Sequence, residues 1–409
     1  MLSRCISVER DEFAAAYWSK RPLLSPAGEL PGGFDDLFSQ AAADELLSRR
    51  GLRTPFIRVA KAGKVIDSSR YTRSGGVGAM VADQVADDRI LELFLDGHTV
   101  VLQGLHRIWP PVMDFAGALT TELGHPVQVN AYITPRSSTG FSAHYDVHDV
   151  FVLQIAGEKR WRIHPPVLID PLRDEPWTDR AAAVAEQAAD EPLIDAVLRP
   201  GDVLYLPRGY LHAAEALGDV SIHLTVGVHP VTRHAVLDAL TSLVAGDAAL
   251  RSSLPLGVDV SQPAGIEADV AATIEALVRR VQAVTAAQVA DHLAARTVAS
   301  SRPGPIEPLA VADAAARLDA ATVLTVRPQL RFAIGAQGDG DDGVEIVLPG
   351  RRLQFAPNAV KAVRALLDGV ALRVGELPGL EPDEALALAG RLVREAVAVP
   401  VAEARARTQ

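Results

Sequence analysis

Two histidines and two aspartates stand directly before an apolar run in the segment GFSAHYDVHDVFVLQIAG, residues 140–157. A polar cluster at the mouth of a buried strand is costly unless its side chains bind something. Residues i and i+2 of a strand point to the same face, so His144 and Asp146 converge if the chain is extended from Phe141. One imidazole and one carboxylate are two of the three ligands in the 2-His-1-carboxylate site of non-haem Fe(II). The segment therefore predicts part of an iron site.

The third ligand is expected to be a histidine on another strand. The segment GDVLYLPRGYLHAAEALGDVSIHLTVG, residues 201–227, offers His212 after a buried strand and a Pro-Arg-Gly turn. The chain between His144 and His212 is long enough to cross to an opposing sheet and return. Three ligands on one triangular face leave adjacent positions open for a chelating cosubstrate and for O₂. The single cysteine, Cys5, excludes a tetrahedral thiolate site.

His148 competes for the same role, because residues 144, 146 and 148 share one face of a regular strand. We expect the chain to turn there and to leave His148 outside the metal site. The remaining histidines of this half of the chain are expected to make structural hydrogen bonds or to lie at the surface: His98, His106, His125, His164 and His229.

Short β-branched and aromatic runs separated by Gly and Pro fill residues 126–230 and predict the elements that position these side chains. Closely spaced strands with turn signals indicate a sandwich or barrel. Trp161 and Ile163 alternate with arginines, which predicts a strand with one buried face. A helical insertion is expected within residues 181–198. The strand candidates are VQVNAYITP, DVFVLQIAG, KRWRIHPP, DVLYLPRG and VSIHLTVGVHP.

Helical periodicity dominates on both sides of this core. Before the core, a helix is predicted in DEFAAAYWSKRPLLSP, ended by Pro22, and a second helix with an acidic first turn in FDDLFSQAAADELLSRRG. A strand is predicted at TVVLQGL and a helix with proline in its first turn at PPVMDFAGALTTELGH. After it come helices over 231–299, a linker SSRPGPIEP, a hairpin in DGVEIVLPGRRLQFAP, and helices in NAVKAVRALLDG and EPDEALALAGRLVREAVAV. The predicted domains are 1–230, with its core at 126–230, then 231–300 and 305–409.

Composition sets limits on location and partners. The 409 residues are 48% hydrophobic, yet no apolar run approaches the roughly 18 residues of a membrane span, and charges interrupt the N-terminal segment, so neither a membrane nor a secretory signal is expected. The single cysteine is typical of a reducing compartment and predicts a cytoplasmic protein. The net charge of −11 argues against direct nucleic-acid binding. The acidic segment GDGDDG, residues 338–343, lacks the spacing of a calcium loop and is interpreted as a flexible turn.

HYDVHDVFVLQIAGEKRW together with GDVLYLPRGYLHAAEALGDVSIHLTVG resembles the cupin-like JmjC branch of the 2-oxoglutarate oxygenases, specifically the ribosomal oxygenases. The similarity of motifs covers about residues 130–230. It implies an α+β fold: a double-stranded β-helix core (jelly-roll/cupin, JmjC), a helical dimerisation segment and a C-terminal winged-helix-like domain. It also implies a homodimer that uses Fe(II), 2-oxoglutarate and O₂ to hydroxylate a histidyl or arginyl side chain of a protein substrate, a ribosomal protein.

The resemblance assigns roles to individual residues. His144, Asp146 and His212 match the family's iron ligands and catalytic centre, and Lys159 matches the basic residue that receives the distal carboxylate of 2-oxoglutarate. From the sequence alone, Lys159 in the turn AGEKR would be an ordinary solvated lysine; the resemblance reverses that interpretation. A dianionic cosubstrate with one end on a metal needs a fixed cation for the other end.

Two alternating polar sets are expected to face the cosubstrate cavity. The first lies along NAYITP and the second along the strand after His212, where Thr225 shares the same face. The side chains predicted to contact the cosubstrate are Asn130, Tyr132, Thr134, Ser221 and His223.

Two other functions are compatible with these residues. The same chemistry could act on a small molecule, such as an amino acid or a natural-product intermediate. Alternatively, the chain could be a non-enzymatic cupin that binds metal structurally, although such a site would have no need of a cation for a cosubstrate.

Overall fold

The structure, a computed structural model, describes residues 1–61, 63–78, 80–136, 138, 142–300, 302–335 and 343–401. The chain forms two compact units, Met1–Pro230 and Val231–Gln409. The first unit has the bounds predicted for the first domain, whereas the further division into 231–300 and 305–409 stays a prediction. Residues 338–342 of GDGDDG lie outside the described residues.

Antiparallel strands form the framework of the first unit. Nine of the strands in its described part belong to one sheet, and two make a small separate ribbon. The strands are β1 (Leu23–Ser25), β2 (Ile57–Lys61), β3 (Lys64–Val65), β4 (Thr72–Arg73), β5 (Gln84–Val85), β6 (Thr99–Leu102), β7 (Val127–Thr134), β8 (Asp149–His164), β9 (Ile194–Leu198), β10 (Val203–Leu206) and β11 (Leu211–Val228). The order in the large sheet is β1-β10-β8-β11-β7-β6-β2-β3, with β9 paired to β8.

Two long strands, β8 and β11, run antiparallel through the centre of this sheet. The first half of β8 pairs with β10 and the second half pairs with β9. The prediction of separate strands in DVFVLQIAG and KRWRIHPP was wrong, because Gly157 continues the strand through a bulge at φ +63° instead of reversing it. Strand β9, in the interval where only a helix was expected, was missed.

Helices cover part of the sheet of the first unit. They are α1 (Arg10–Glu12), α2 (Gln40–Arg49), α3 (Asp87–Leu95), α4 (Leu105–Ile108), α5 (Pro110–Leu123) and α6 (Ala181–Gln187). Helix α5 and strand β6 confirm their predictions. The acidic first turn predicted for α2 was wrong, because Ser39 caps the helix by accepting the Ala42 N–H at 3.2 Å, which leaves the aspartates before it. The first helix continues as a π-turn and ends at Tyr17, before Pro22.

Both faces of the central strands are buried, and this explains their nearly continuous apolar sequence. Phe151 and Leu153 of β8 pack into the main core, which also contains Phe115 of α5. Val150 and Val152 point to the opposite face and pack with Trp161 and other residues. The sheet therefore holds the start of β8, next to the polar cluster, on a rigid support.

The second unit combines helices with short antiparallel strands. The hairpin predicted around Pro349-Gly350 is confirmed, with Gly350 at φ +74°. The helices are α7 (Arg233–Val244), α8 (Ala248–Arg251), α9 (Pro263–Ala283), α10 (Ala286–Ser300), α11 (Pro308–Ala315), α12 (Val360–Leu367) and α13 (Pro382–Arg394). The strands are β12 (Val323–Val326), β13 (Ala333–Gly335), β14 (Val344–Leu348), β15 (Arg351–Phe355), β16 (Leu372–Arg373) and β17 (Ala398–Pro400). No helix among the described residues is both long and apolar enough to cross a bilayer.

Candidate metal and cosubstrate site

An isolated antiparallel bridge brings His144 against His212. The His144 N–H donates to the His212 carbonyl at 3.2 Å, and the His212 N–H donates to the His144 carbonyl at 2.8 Å. The two imidazole centroids are 4.4 Å apart, and Asp146 Oδ2 lies 3.8 Å from His212 Nε2. One ligand atom from each of these three residues lies within 4.8 Å of the others. The structure thus joins residues from distant parts of the chain in one cluster.

The backbone around His144 differs from the expected regular strand. Residues 142–148 contribute only the bridge at His144, and β8 begins at Asp149. Phe141, where the extended strand was expected to begin, lies outside the described residues, so an extended chain from there stays a prediction. Pairing with His212 explains how His144 meets a histidine from a distant part of the chain.

Hydrogen bonding of the two imidazoles suits metal ligation. His144 Nδ1 lies 2.8 Å from the Ser142 carbonyl oxygen, and His212 Nδ1 lies 3.2 Å from the Tyr210 carbonyl oxygen. A ligating histidine commonly donates its second ring N–H to a carbonyl, which fixes the tautomer and leaves the other nitrogen lone pair for the metal. Both rings can therefore present Nε2 as an acceptor.

The electrostatic environment favours the same protonation states. Burial lowers the pKa of His212 to about 4. Burial would raise the pKa of Asp146, but nearby His148 and the other two histidines more than offset it, so this pKa lies below its usual value. Neutral imidazole and ionised carboxylate are the forms that bind metal ions.

His148 lies outside the three-residue cluster. Its Nε2 is 3.4 Å from Gln128 Nε2, and its ring packs edge-on against His229 with centroids 4.9 Å apart. This position agrees with the expectation that the chain turns after Asp146. The exclusion of His148 from metal ligation stays a prediction.

Lys159 is almost completely buried, with 2% of its surface exposed. It lies within β8, so the interpretation of this residue as a solvated lysine in a turn was wrong. Its Nζ donates to Thr134 Oγ1 at 3.0 Å, and no carboxylate of the described residues pairs with it. Burial lowers its pKa to about 7. A buried ammonium without an anionic partner is unfavourable and fits a place for an anionic ligand.

The two polar sets predicted for the cavity face each other across β7 and β11. Thr134 pairs with Ser221, Tyr132 pairs with His223, and Asn130 pairs with Thr225. The register therefore puts both sets on one face of adjacent strands. Their assignment to cosubstrate binding stays a prediction.

Local contacts distinguish these polar residues from one another. The Tyr132 and His223 rings stack with centroids 5.0 Å apart, and burial lowers the pKa of His223 well below its usual value. Among the described residues, the buried His223 Nδ1 has no hydrogen-bond partner. In contrast, Ser221 Oγ accepts from Gln154 at 3.0 Å, and Asn130 Oδ1 accepts from the Gly104 N–H at 3.0 Å. His223 is therefore better placed for a ligand than Ser221 or Asn130.

Sequence reasoning missed two residues near this face. The guanidinium of Arg58 on β2 donates to the Tyr132 hydroxyl at 3.2 Å and helps to lower the pKa of Asp146. Trp161 packs edge-on against His223 at 5.3 Å, and its buried Nε1 has no partner in the described part of the chain. The alternation of apolar and polar residues in IRVAK could have indicated that Arg58 does not face the core on β2. It could not have identified the residues that contact Arg58.

A family model described as the JmjC domain matches residues 113–236. This segment is similar to the JmjC domain family. It contains the His144, Asp146 and His212 cluster, the buried Lys159 and both polar sets. The resemblance inferred from the motifs is confirmed.

The chain is also similar to curated proteins. Ribosomal oxygenase 1 of Gallus gallus is 30% identical over 217 residues, which cover 53% of this chain and 34% of that protein. The bifunctional lysine-specific demethylase and histidyl-hydroxylase NO66 of Drosophila erecta is 36% identical over 163 residues, or 38% of this chain and 23% of that protein. The chain thus spans about a third or less of the length of these relatives.

A solved structure of similar length has a similar fold over nearly the whole chain, beyond residues 113–236. The structure of YcfD, a ribosomal oxygenase from Escherichia coli, in complex with cobalt and 2-oxoglutarate, superposes with a TM-score of 0.54 at 18% identity. The match covers 97% of this chain and 99% of that chain. It confirms the predicted α+β fold with a JmjC cupin core.

Proposed function

We propose that this chain is an Fe(II)- and 2-oxoglutarate-dependent oxygenase that hydroxylates a histidyl or arginyl side chain of a ribosomal protein. The observation that carries the proposal is the cluster of His144, Asp146 and His212 in the same JmjC domain as the buried cation of Lys159. A structural metal site would have no use for that cation.

His144, Asp146 and His212 would hold the iron. Two imidazoles and one carboxylate are the donor set of non-haem iron oxygenases, and the carbonyl partners of both Nδ1 atoms support ligation through Nε2. YcfD, which has the same fold, has been solved with cobalt. Cobalt accepts the same nitrogen and oxygen ligands as iron.

Lys159 and Thr134 would bind the distal carboxylate of 2-oxoglutarate. The ammonium is already oriented by its hydrogen bond to Thr134 Oγ1, so little side-chain freedom is lost when the carboxylate arrives. The stacked rings of Tyr132 and His223 would line the site of the cosubstrate's carbon chain. The Nδ1 of His223, which has no hydrogen-bond partner among the described residues, would gain one. Burial of these groups excludes water, which strengthens each charged contact.

The chemistry that bound iron and 2-oxoglutarate supply is oxidation of a substrate C–H bond by O₂ to an alcohol, with succinate and carbon dioxide as co-products. The protein's own contribution is to orient these groups and to exclude water from them. The pKa shifts favour an ionised Asp146 and a neutral His212, which are the forms that bind a metal ion.

The choice of substrate is supported by the names of the relatives. Ribosomal oxygenase 1 and the histidyl-hydroxylase NO66 are similar to 53% and 38% of this chain, and YcfD, a ribosomal oxygenase, shares the fold over nearly the whole chain. A ribosomal substrate and the single, buried cysteine also support a cytoplasmic location. Microscopy of the tagged chain tests the location.

Succinate formation tests the activity. We expect turnover that requires both Fe(II) and 2-oxoglutarate in the wild type and is abolished in Asp146→Ala. The matched control is Asp219→Ala, which removes an aspartate that is 76% exposed and should leave turnover unchanged. Undiminished turnover in Asp146→Ala would contradict the proposal.

Mass spectrometry of ribosomal proteins tests the substrate. Incubation with the wild type, but not with Asp146→Ala, is expected to add the mass of one oxygen atom to a single histidine or arginine. Succinate formation without any modified ribosomal protein would instead favour a small-molecule substrate.

We also propose that the chain forms a homodimer through its helical segment. Val270, Ile274 and Val278 make an apolar stripe along α9, and each is between 46% and 56% exposed. Such a stripe is unfavourable in water unless another surface covers it. Light scattering should give twice the chain mass, and Ile274→Asp should give a monomer; a monomeric wild type would refute the dimer.

A further inference from the structure

The Pro-Arg-Gly turn before His212 contains Arg208, which forms a charged pair with Asp149 at the start of β8. The proposed function uses neither residue. Asp149, the first residue of β8, is completely buried, and its Oδ1 accepts the Arg208 backbone N–H at 3.0 Å. The Arg208 side chain is only 9% exposed, and its Nη1 lies 3.8 Å from the same carboxylate oxygen. Asp149 therefore contacts both the backbone and the side chain of the residue at the centre of the turn.

Three further groups complete this network. Asp149 Oδ2 accepts from the Tyr205 hydroxyl at 2.7 Å and from the Ser19 hydroxyl at 3.0 Å. The other end of the Arg208 guanidinium pairs with Asp170 at 2.8 Å. A buried carboxylate that accepts from this many donors holds them in one arrangement.

The turn held by this network is hydrogen-bonded to Asp146, one proposed metal ligand, and leads along the chain to His212, another. The Gly209 N–H donates to the Asp146 carbonyl at 3.0 Å, and the bridge between His144 and His212 follows three residues later. Gly209 has φ +87°, and a side chain there would meet the Leu168 carbonyl at 2.5 Å, so little alternative geometry is available to the turn. A displacement of Arg208 would thus move both segments that carry ligands.

We infer that Asp149 and Arg208 are positioning residues that fix the spacing of the three metal ligands. This inference rests on the proposed function, since it assumes that His144, Asp146 and His212 bind the metal. Neither side chain belongs to the ligand cluster, and both act through the Pro207–Gly209 turn. Loss of a group that orients metal ligands typically lowers metal affinity about 10- to 100-fold.

Cobalt(II) binding by the full chain tests the inference. Asp149→Asn keeps the shape of the side chain but removes the charge that holds Arg208. We expect it to raise the Kd for Co(II) by about 10- to 100-fold and to change the visible absorption bands of the bound ion, which report coordination geometry.

Asp202→Asn is the matched control. Asp202 holds the turn at the opposite end of β10 by accepting the Ala27 N–H at 2.8 Å and the Arg199 N–H at 2.7 Å. The Asp202→Asn substitution should lower the melting temperature without changing the affinity for Co(II) or the spectrum of the bound ion. Equal effects of the two substitutions on affinity, or an unchanged Kd and spectrum in Asp149→Asn, would overturn the positioning role.

Arg208→Lys provides a second variant if circular dichroism shows that Asp149→Asn does not fold. Lysine keeps the backbone N–H contact to Asp149 but cannot bridge Asp149 and Asp170 as the guanidinium does. An altered Co(II) spectrum with a raised Kd supports the inference, and wild-type behaviour overturns it. Absence of Co(II) binding by the wild type would instead overturn the proposed metal site itself.

Discussion

The ammonium of Lys159 donates a 3.0 Å hydrogen bond to Thr134 Oγ1 in the interior of the first unit, where both side chains are shielded from water. One residue belongs to β8 and the other to β7, two strands that are joined in the sheet only through β11. Because a hydroxyl cannot neutralise an ammonium, this contact leaves the positive charge available for a carboxylate.

Removal of that charge should weaken cosubstrate binding. Lys159→Met is expected to raise the Kd for 2-oxoglutarate by about 10- to 100-fold, because a charge-assisted hydrogen bond contributes about 1.5–3 kcal/mol. The melting temperature of the ligand-free protein should not fall, since a buried ammonium is itself unfavourable. Calorimetry measures the affinity, and Arg162→Met, which removes an exposed cation from the same strand, is the control. Equal affinity of Lys159→Met and the wild type for 2-oxoglutarate would exclude a role of Lys159 in binding it.

Binding of 2-oxoglutarate should also depend on pH. Burial lowers the pKa of Lys159 to about 7, so the side chain is mainly neutral above that pH when the site is empty. The bound carboxylate favours the ammonium form, so binding takes up a proton and the affinity should fall by up to about tenfold per pH unit above pH 7. Calorimetry in buffers of different ionisation enthalpy detects the proton. Lys159→Arg should remove this dependence, and a parallel decline in that variant would argue against Lys159.

Metal content should separate the two neighbouring histidines. His144→Ala removes a member of the cluster and is expected to reduce bound iron at least about tenfold, whereas His148→Ala should retain nearly the wild-type amount. Elemental analysis of protein purified with Fe(II) gives the occupancy. Comparable loss in both variants would show that His148 approaches the metal after all.

The bulge that precedes Lys159 should be sensitive to a single methyl group. A Cβ on Gly157 would lie 2.2 Å from the Val220 carbonyl oxygen, and the residue has φ +63°. Gly218→Ala is the matched control, because Gly218 has a similar φ of +68° but no atom within 4 Å of the added carbon. Gly218→Ala should cost about 1–2 kcal/mol in the free energy of unfolding, from backbone conformation alone.

Gly157→Ala should cost clearly more than this, because the neighbouring backbone must also move. Denaturant unfolding measures both variants. Equal losses of stability in the two variants would show that the bulge can relax around the extra carbon.

The sequence by itself determined the residue types of the site and the character of the elements around it. A His-X-Asp pair and a distant histidine after a Pro-Arg-Gly turn predict an iron site, and closely spaced β-branched runs predict a sandwich or barrel. The cupin core followed only from the resemblance to the JmjC oxygenases. Local signals of this kind depend on spacing and composition, which are properties of the chain and not of its folded neighbours.

Only the tertiary structure decided which of these residues meet. Lys159 is charged and lies two residues after a glycine, so the local pattern indicates a turn. Its burial depends on the pairing of β8 with β9 and β11. The approach of His144 to His212 likewise depends on the bridge between them, and no periodicity within one segment encodes a contact between segments so far apart. Burial and long-range pairing are collective properties of the packed sheet, and they bury the lysine and bring the two separate histidines together.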